Sequence, residues 1–262
     1  MKLSSANINV MVKACRKASK ILIRDFGEIE NLQVSLKGPG DFVTTSDIKV
    51  EKFLIEELQK ARPTYSIVSE EAGQINNDES FKWIIDPIDG TSNFLHGIPH
   101  FAISIGLEHN KEIICGIIYD PIKDEMFTAE KGNGAYLNNK RMRVSSRSKL
   151  KDCMICTGGP GQKSKDRELV LQEQERFSSK VLIPIRKLGS ASLDMAYVAM
   201  GRCDGFWQRN LSYWDIAAGI IIVRESGGFV TDFDGENQYI ENKTILVTNS
   251  KINKEMIEIL SN

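Results

Sequence analysis

Apolar side chains at Ile8, Met11, Val12, Cys15, Ala18, Leu22 and Phe26 recur every three or four residues. The pattern predicts an amphipathic helix over residues 4–26, with Gly27 as its stop. Lys37-Gly38-Pro39-Gly40 breaks the pattern as a turned or flexible loop. Thr44, Thr45 and Ser46 offer N-caps for a second helix to about Ala61, ahead of Pro63. From Trp83 to about Arg143 the periodicity becomes strand-like. Trp83-Ile84-Ile85 reads as a short buried strand ending in a tight turn, and residues 101–108 and 112–119 flank His109-Asn110-Lys111 as a hairpin. Two further short strands, 126–129 and 135–138, extend the meander, which predicts a mostly antiparallel sheet. After about residue 145 strands and helices alternate. The predicted order is strand 153–157, polar helix 164–178, strand 181–185 and helix 190–200 with Gly201 as its stop. A strand at Phe206-Trp207, an apolar helix 214–226 stopped by Gly227-Gly228, a strand 244–247 and a helix 252–260 follow. No repeat or low-complexity linker interrupts the chain. Two lobes, 1–145 and 146–262, are expected to pack as one unit.

Composition narrows the function classes. The 262 residues are 41% hydrophobic and 26% charged, as in an ordinary globular protein. A net charge of −1 supplies no global field for nucleic acid. Lys140-Arg141-Met142-Arg143 with Arg147 is a local basic patch, read as a solvated hairpin face. No apolar run approaches the roughly 20 residues of a membrane span. Residues 1–12 lack a signal-peptide apolar segment, and five cysteines, an odd number, fit reduced thiols. The expectation is a cytoplasmic protein without membrane contact. Cys153 and Cys156 have a Cys-x-x-Cys spacing, but His96, His100 and His109 are not spaced to complete a zinc site. A buried strand leading into Thr157-Gly158-Gly159-Pro160 is the better reading.

The chemistry concentrates in Asp86-Pro87-Ile88-Asp89-Gly90-Thr91. Two carboxylates at a strand tip repel one another unless something positive lies between them, and a hard divalent cation fits. Three other acids draw notice. Glu70 and Glu71 follow Ser66-Ile67-Val68, and Asp215 begins the apolar helix after Trp214. Taken alone, Glu70-Glu71 reads as a solvated turn and Asp215 as an acid on free helix amides. No Gly-Lys-Ser/Thr phosphate loop exists, which argues against a nucleotide-driven enzyme.

Glu70-Glu71, Trp83 through Phe94, Trp214-Asp215-Ile216-Ala217-Ala218-Gly219 and Ser226-Gly227-Gly228, in that order, resemble the inositol monophosphatase family. The Asp-Pro-x-Asp-Gly-Thr element alone would arise by chance in about one chain in 10⁴. The resemblance implies an α/β (α+β) protein, a layered αβαβα sandwich. Its first lobe would hold an antiparallel sheet and its second a mixed one, with the site between them. It implies hydrolysis of a small phosphate monoester, inositol 1-phosphate first, by metal-activated water. Glu70, Asp86 and the carbonyl of Ile88 would hold one Mg²⁺. Asp86, Asp89 and Asp215 would hold a second, and a third, weaker ion would sit near Glu70. Thr91 and Asp47 would form the pair that activates water, with Glu70 also assisting catalysis. Gly90-Thr91 would open a helix facing the phosphate. Four carboxylates carry −4, which two divalent ions neutralise, and two metals can clamp the attacking and leaving oxygens.

On the substrate side the resemblance assigns contacts to Asp89, Gly90, Thr91, Gly189, Ser190, Ala191 and Asp215. Gln208 stands where the family commonly carries a Glu that binds substrate hydroxyls. An amide can still bond a diol but lacks the strength of a charged acceptor. Arg209 reads as a surface or subunit-interface residue, or as an attraction for a second anionic group. Trp207, Tyr213 and Trp214 read as core. Lys37 and its glycine loop fit equally a surface turn and a segment that closes over substrate. Phosphatases for histidinol phosphate, fructose 1,6-bisphosphate or another polyol phosphate are alternatives, as is a protein that binds the transcription machinery or its RNA factors. The resemblance also implies a homodimer and sensitivity to lithium.

Overall fold

The computed structural model describes residues 5–28, 34–38, 41–159 and 165–261. Five layers follow from alternation along two sheets. Helices α1 (Ala6–Phe26) and α2 (Thr45–Ala61) cover one face of an eight-stranded sheet. This sheet comprises β3 (Tyr65–Ser69), β4 (Gly73–Ile75), β5 (Asp78–Asp89), β6 (Ala102–His109), β7 (Glu112–Asp120), β8 (Glu125–Glu130), β9 (Gly134–Leu137) and β10 (Lys140–Arg141). Its spatial order is β10-β9-β8-β7-β6-β5-β3-β4. Helices α5 (Ala191–Ala199) and α6 (Tyr213–Glu225) cover the other face. Beyond them lies a four-stranded sheet of β11 (Ile155–Thr157), β12 (Gly205–Arg209), β13 (Phe229–Thr231) and β14 (Thr244–Thr248), backed by α4 (Arg167–Ser178) and α7 (Asn253–Leu260). A separate β1 (Val34–Gly38) and β2 (Asp41–Thr44) form a hairpin before α2, and α3 (Thr91–Leu95) is a short helix after β5.

The period-two pattern assigns each face. Trp83 and Ile85 pack toward α1 and α2, whereas Ile84 between them packs toward α5 and α6. Trp207 faces α4 and α7, and its neighbour Phe206 faces α5 and α6. Helix α6 is buried from Ile216 to Val223 because it is sandwiched between sheets, which explains its apolar composition all round.

The first sheet is antiparallel except where β3 and β5 run parallel. That exception arises because β4 hairpins back outside β3 and the chain then crosses to its other edge. The second sheet is mixed, with β11 parallel to β12. Residues 181–185 are not a strand. Pro184 has no N–H to donate, and only Arg186 bridges to β11. Cys153 closes a short 3-10 turn at Leu150–Asp152 instead of starting β11. Helix α4 begins at Arg167, and Ser164 lies outside the described residues.

Two glycines set how closely α6 approaches the first sheet. Gly106 and Gly116 pair across β6 and β7. A Cβ on Gly116 would stand 2.5 Å from Ile221 and 2.7 Å from the Ala218 carbonyl. Backbone cannot yield as a side-chain tip can, so Gly116→Ala should cost about 1–3 kcal/mol. Its denaturation midpoint should fall relative to the parent protein, and an unchanged midpoint would show that α6 can move off the sheet.

Candidate active site

The two aspartates of the central motif reach one face through an irregularity in β5. Residues three apart on a regular strand point to opposite sides. Here Asp86 pairs with Ser104 and Asp89 with Ala102, so β5 spends one more residue than its partner. Pro87 cannot donate to the ladder, and a bulge forms at Pro87-Ile88. The extra residue returns Asp89 to the face of Asp86. Ala102 and Ser104 on that face meet the layer of α5 and α6, and the Ser104 hydroxyl lies 3.5 Å from the Trp214 carbonyl. The strand therefore runs four residues past Ile85, through the expected turn, and Asp86 and Asp89 are 2% and 8% exposed.

Donors hold these acids individually. Asp86 accepts the Ile88 amide at 3.0 Å. Asp89 accepts the amides of Ser192 at 2.7 Å and Ala191 at 3.3 Å, and both the Ser190 and Ser192 hydroxyls. Asp215, at the first turn of α6, accepts the Ser212 amide at 2.7 Å. Asp47 opens α2 as the N3 partner of a capping box. It accepts the Thr44 amide at 2.8 Å and the Thr44 hydroxyl. The Thr91 hydroxyl faces two acceptors, the Ile88 carbonyl at 2.9 Å and Asp47 at 3.2 Å.

The acids share one field. Burial holds the Asp86 carboxyl well above its ordinary range, and Asp89, Glu70, Asp215 and Asp47 push it further. Burial also raises Asp89, outweighing its hydroxyl and amide donors. Asp47 is pushed up to about 6 by burial, against the opposing effect of Thr44. Among the described residues, no cation pairs with Asp86 or Asp89. No three His, Cys, Asp or Glu side chains among the described residues are drawn together as a closed cage. Asp89 is turned to α5 and Asp215 to its own helix. The donor set nevertheless fits hard divalent cations: it is all oxygen and strongly anionic.

The remaining predicted residues fall around this cluster. Glu70 lies in the turn between β3 and β4. Gly90 caps α3 at φ 94°, where a Cβ would come within 3.1 Å of the His100 carbonyl and 3.2 Å of the Gly189 carbonyl. Gly189, Ser190 and Ala191 enter α5, with Ser190 as its N-cap. Gln208 lies on the face of β12 that carries Phe206, and its amide packs against Gly158, where a Cβ would be 2.1 Å away. Lys37 belongs to β1, but its side chain and Pro39-Gly40 lie outside the described residues. Arg209 is neither a free anion hook nor a bare surface group. It bonds buried Glu173 at 2.6 Å and stacks over Phe233. Trp207 is core, with its Nε1 donating to Glu173, and Tyr213 donates to Glu108. Cys156 is 2.8 Å from Cys203, not paired with Cys153.

Three contributors escaped sequence reasoning. Asn93 donates to the carbonyls of His100 and Leu188, both at 2.8 Å, and ties α3 to the loop before α5. Ser192 holds Asp89. Glu51 holds the Glu70-Glu71 turn, its carboxylate accepting the Glu71 amide at 2.8 Å. Glu51 had a signal, for it shares the buried stripe Asp47, Val50, Leu54 and Leu58 of α2.

Buried carboxylates on strand tips and helix starts between two sheets are the donor set of a metal-dependent phosphoric monoester hydrolase, the class that the comparisons give. The profile of the inositol monophosphatase family matches residues 5–262. Inositol-1-monophosphatase of Rhizobium meliloti is 50% identical over 98% of this chain and 96% of its own. Nus factor SuhB of Pseudomonas aeruginosa is 39% identical over 95% of this chain and 94% of its own. The crystal structure of extragenic suppressor protein suhB from Bartonella henselae superposes with a TM-score of 0.96 at 50% identity, covering 98% of this chain and 99% of that one. The chain belongs to the inositol monophosphatase family.

Raised carboxyl groups have a signed effect on stability. The folded protein binds protons at Asp86, Asp89 and Asp47 that the unfolded chain releases near pH 4. Their contribution to stability is full below that pH and lost as pH rises through the folded values, about 6 for Asp47. Metal-free protein should therefore show a higher Tm near pH 5 than near pH 7.5. A divalent cation at neutral pH should raise the Tm and flatten that slope. Thermal scans with a chelator and with added cation measure both, and a flat metal-free profile would mean that burial does not raise these carboxyls.

Proposed function

We propose that the protein hydrolyses inositol 1-phosphate to inositol and phosphate with two to three Mg²⁺. The observation that carries this reading is the β5 bulge, which turns buried Asp86 and Asp89 to one face opposite α5 and α6. The identity of the Rhizobium relative supports the substrate. Glu70, Asp86 and the Ile88 carbonyl would hold one ion; Asp86, Asp89 and Asp215 a second; and Glu70 a more hydrated third. Bound Mg²⁺ supplies water that ionises near neutral pH and positive charge for the phosphoryl oxygens.

The chain's own groups do the rest. The Thr91 hydroxyl has one proton and two acceptors. Were the Ile88 carbonyl to serve as a ligand, that proton would be left to Asp47 Oδ1. Thr91 Oγ1 then takes a proton from the attacking water, and Asp47, raised toward neutrality by burial, receives the proton that Thr91 gives up. Gly90 and Thr91 present backbone amides to the phosphate. Gly189, Ser190 and Ala191 line the polyol side, and the Gln208 amide bonds its hydroxyls. A cytoplasmic homodimer inhibited by lithium completes the reading.

Asp89→Asn removes a charged ligand but keeps an acceptor for Ser192. Its turnover should fall by more than the roughly 10–100-fold typical of losing a group behind a ligand. Phosphate release from inositol 1-phosphate with and without Mg²⁺ measures this, and near-normal activity would sink the assignment. Gln208→Glu restores a charge-assisted acceptor, about twice as strong as the neutral one. KM for inositol 1-phosphate should drop several-fold with little change in kcat. An unchanged KM across inositol 1-phosphate, histidinol phosphate and fructose 1,6-bisphosphate would remove Gln208 from the substrate contacts. The Pseudomonas relative's name favours one second reading, a role with the transcription machinery. Asp89→Asn protein that still performs the cellular role would support it.

A further inference from the structure

Helix α2 carries two buried acids one turn apart, Asp47 and Glu51, 1% and 3% exposed. A spacing of four residues places both on one face of the helix. Asp47 reaches the Thr91 hydroxyl beyond the end of β5. Glu51 reaches the other loop of the site, where its Oε1 accepts the Glu71 amide at 2.8 Å. The amides of Glu71 and Ala72 both favour the ionised form of Glu51, although burial raises its carboxyl overall. One rigid helix thus touches both segments that present the acids acting on Asp86.

We propose that Glu51 is a positioning residue: it anchors the turn of residues 70–72 by accepting its backbone amides, and so sets where the Glu70 carboxylate stands. This inference rests on the reading that Glu70 is a metal ligand. The turn is short. It spans three residues between Ser69 and Gly73, which is in the left-handed region at φ 71°. A surface cleft of about 490 Å³, lined by Ile48, Glu51, Ile55, Glu71 and Ala72, opens beside the anchor. Water is therefore at hand to take over the amides if the acceptor is lost, and the turn is then free to adopt other positions. A carboxylate that fixes a ligand without touching the metal commonly governs affinity more than chemistry.

The test separates a hydrogen-bond acceptor from a charge. Glu51→Gln keeps the acceptor oxygen at the same reach, whereas Glu51→Asp keeps the charge but retracts it by one methylene. Glu51→Ala removes both, and Lys60→Ala, exposed in the last turn of the same helix, serves as control. Mg²⁺ binding is read by calorimetry on substrate-free protein, together with hydrogen exchange at the Glu71 and Ala72 amides. Glu51→Ala and Glu51→Asp should bind Mg²⁺ roughly 10–100-fold more weakly, with faster exchange at both amides. Glu51→Gln should stay close to the parent protein in both readouts. In turnover, the Mg²⁺ needed for half-maximal rate should rise while kcat at saturation changes little. Should Glu51→Ala fail to fold, the contrast of Asp with Gln decides. Parent-like Mg²⁺ binding by Glu51→Asp, or equal impairment of Gln and Asp, overturns the proposal. Glu70→Gln guards the premise. Unchanged Mg²⁺ binding there refutes Glu70 as a ligand, whereas weakened binding there with parent-like Glu51→Asp refutes only the anchor.

Discussion

Like charges confined in a low-dielectric interior are the constraint on which this structure depends. Asp86 and Asp89 lie within the sheet, with Glu70, Asp47 and Asp215 adding to the same potential. Burying one carboxylate without a partner is costly, and each neighbour of equal sign raises that cost. Among the described residues no lysine or arginine pairs with Asp86 or Asp89, and such side chains lie elsewhere, as on Glu173 and Glu108. The chain surrounds the acids with amides and hydroxyls, which fix direction without cancelling charge. An anionic, oxygen-only cluster follows.

The five layers serve that cluster. A bulge at Pro87-Ile88 rotates one acid into register with another, and paired glycines let α6 approach the sheet. The N-terminal turns of α5 and α6 reach the bulged face from the second half of the chain, and α2 braces the same loops from behind. Each of these devices is short-range, but together they join three layers at one point. Arg209 shows the same economy on the far side. Its bond to Glu173 and that of Trp207 flank Gln208 on β12, so that strand is held from the α4 side while the amide faces the other way.

Much of this was legible in the sequence. The stripe of α1, the capping box at Thr44, the hairpin at Asn110-Lys111 and the apolar run of α6 are local signals, and local physics decided them. The motif acids were legible because two carboxylates at a strand end have no structural purpose. The course of β5 was not, because a bulge depends on the partner strand as much as on Pro87. Residues 181–185 carry strand-like side chains, but Pro184 leaves them a bridge instead of a ladder. Asn93, Ser192 and Glu51 were missed for a common reason. Each acts on backbone or on a residue distant in sequence, and polar groups of that kind look like ordinary surface until the layers are assembled.

The grip of Ser190 and Ser192 on Asp89 spans 101 and 103 residues of sequence. Pairings that distant close late, because the intervening chain must first lose its freedom. On a growing chain, β5 and β6 are complete well before α5 exists, so the motif acids spend that interval in a sheet with one face bare. At that stage the helix that turns Asp89 inward and the helix that bears Asp215 have yet to be made. The cluster thus acquires its shape only when the second half of the chain has met the first.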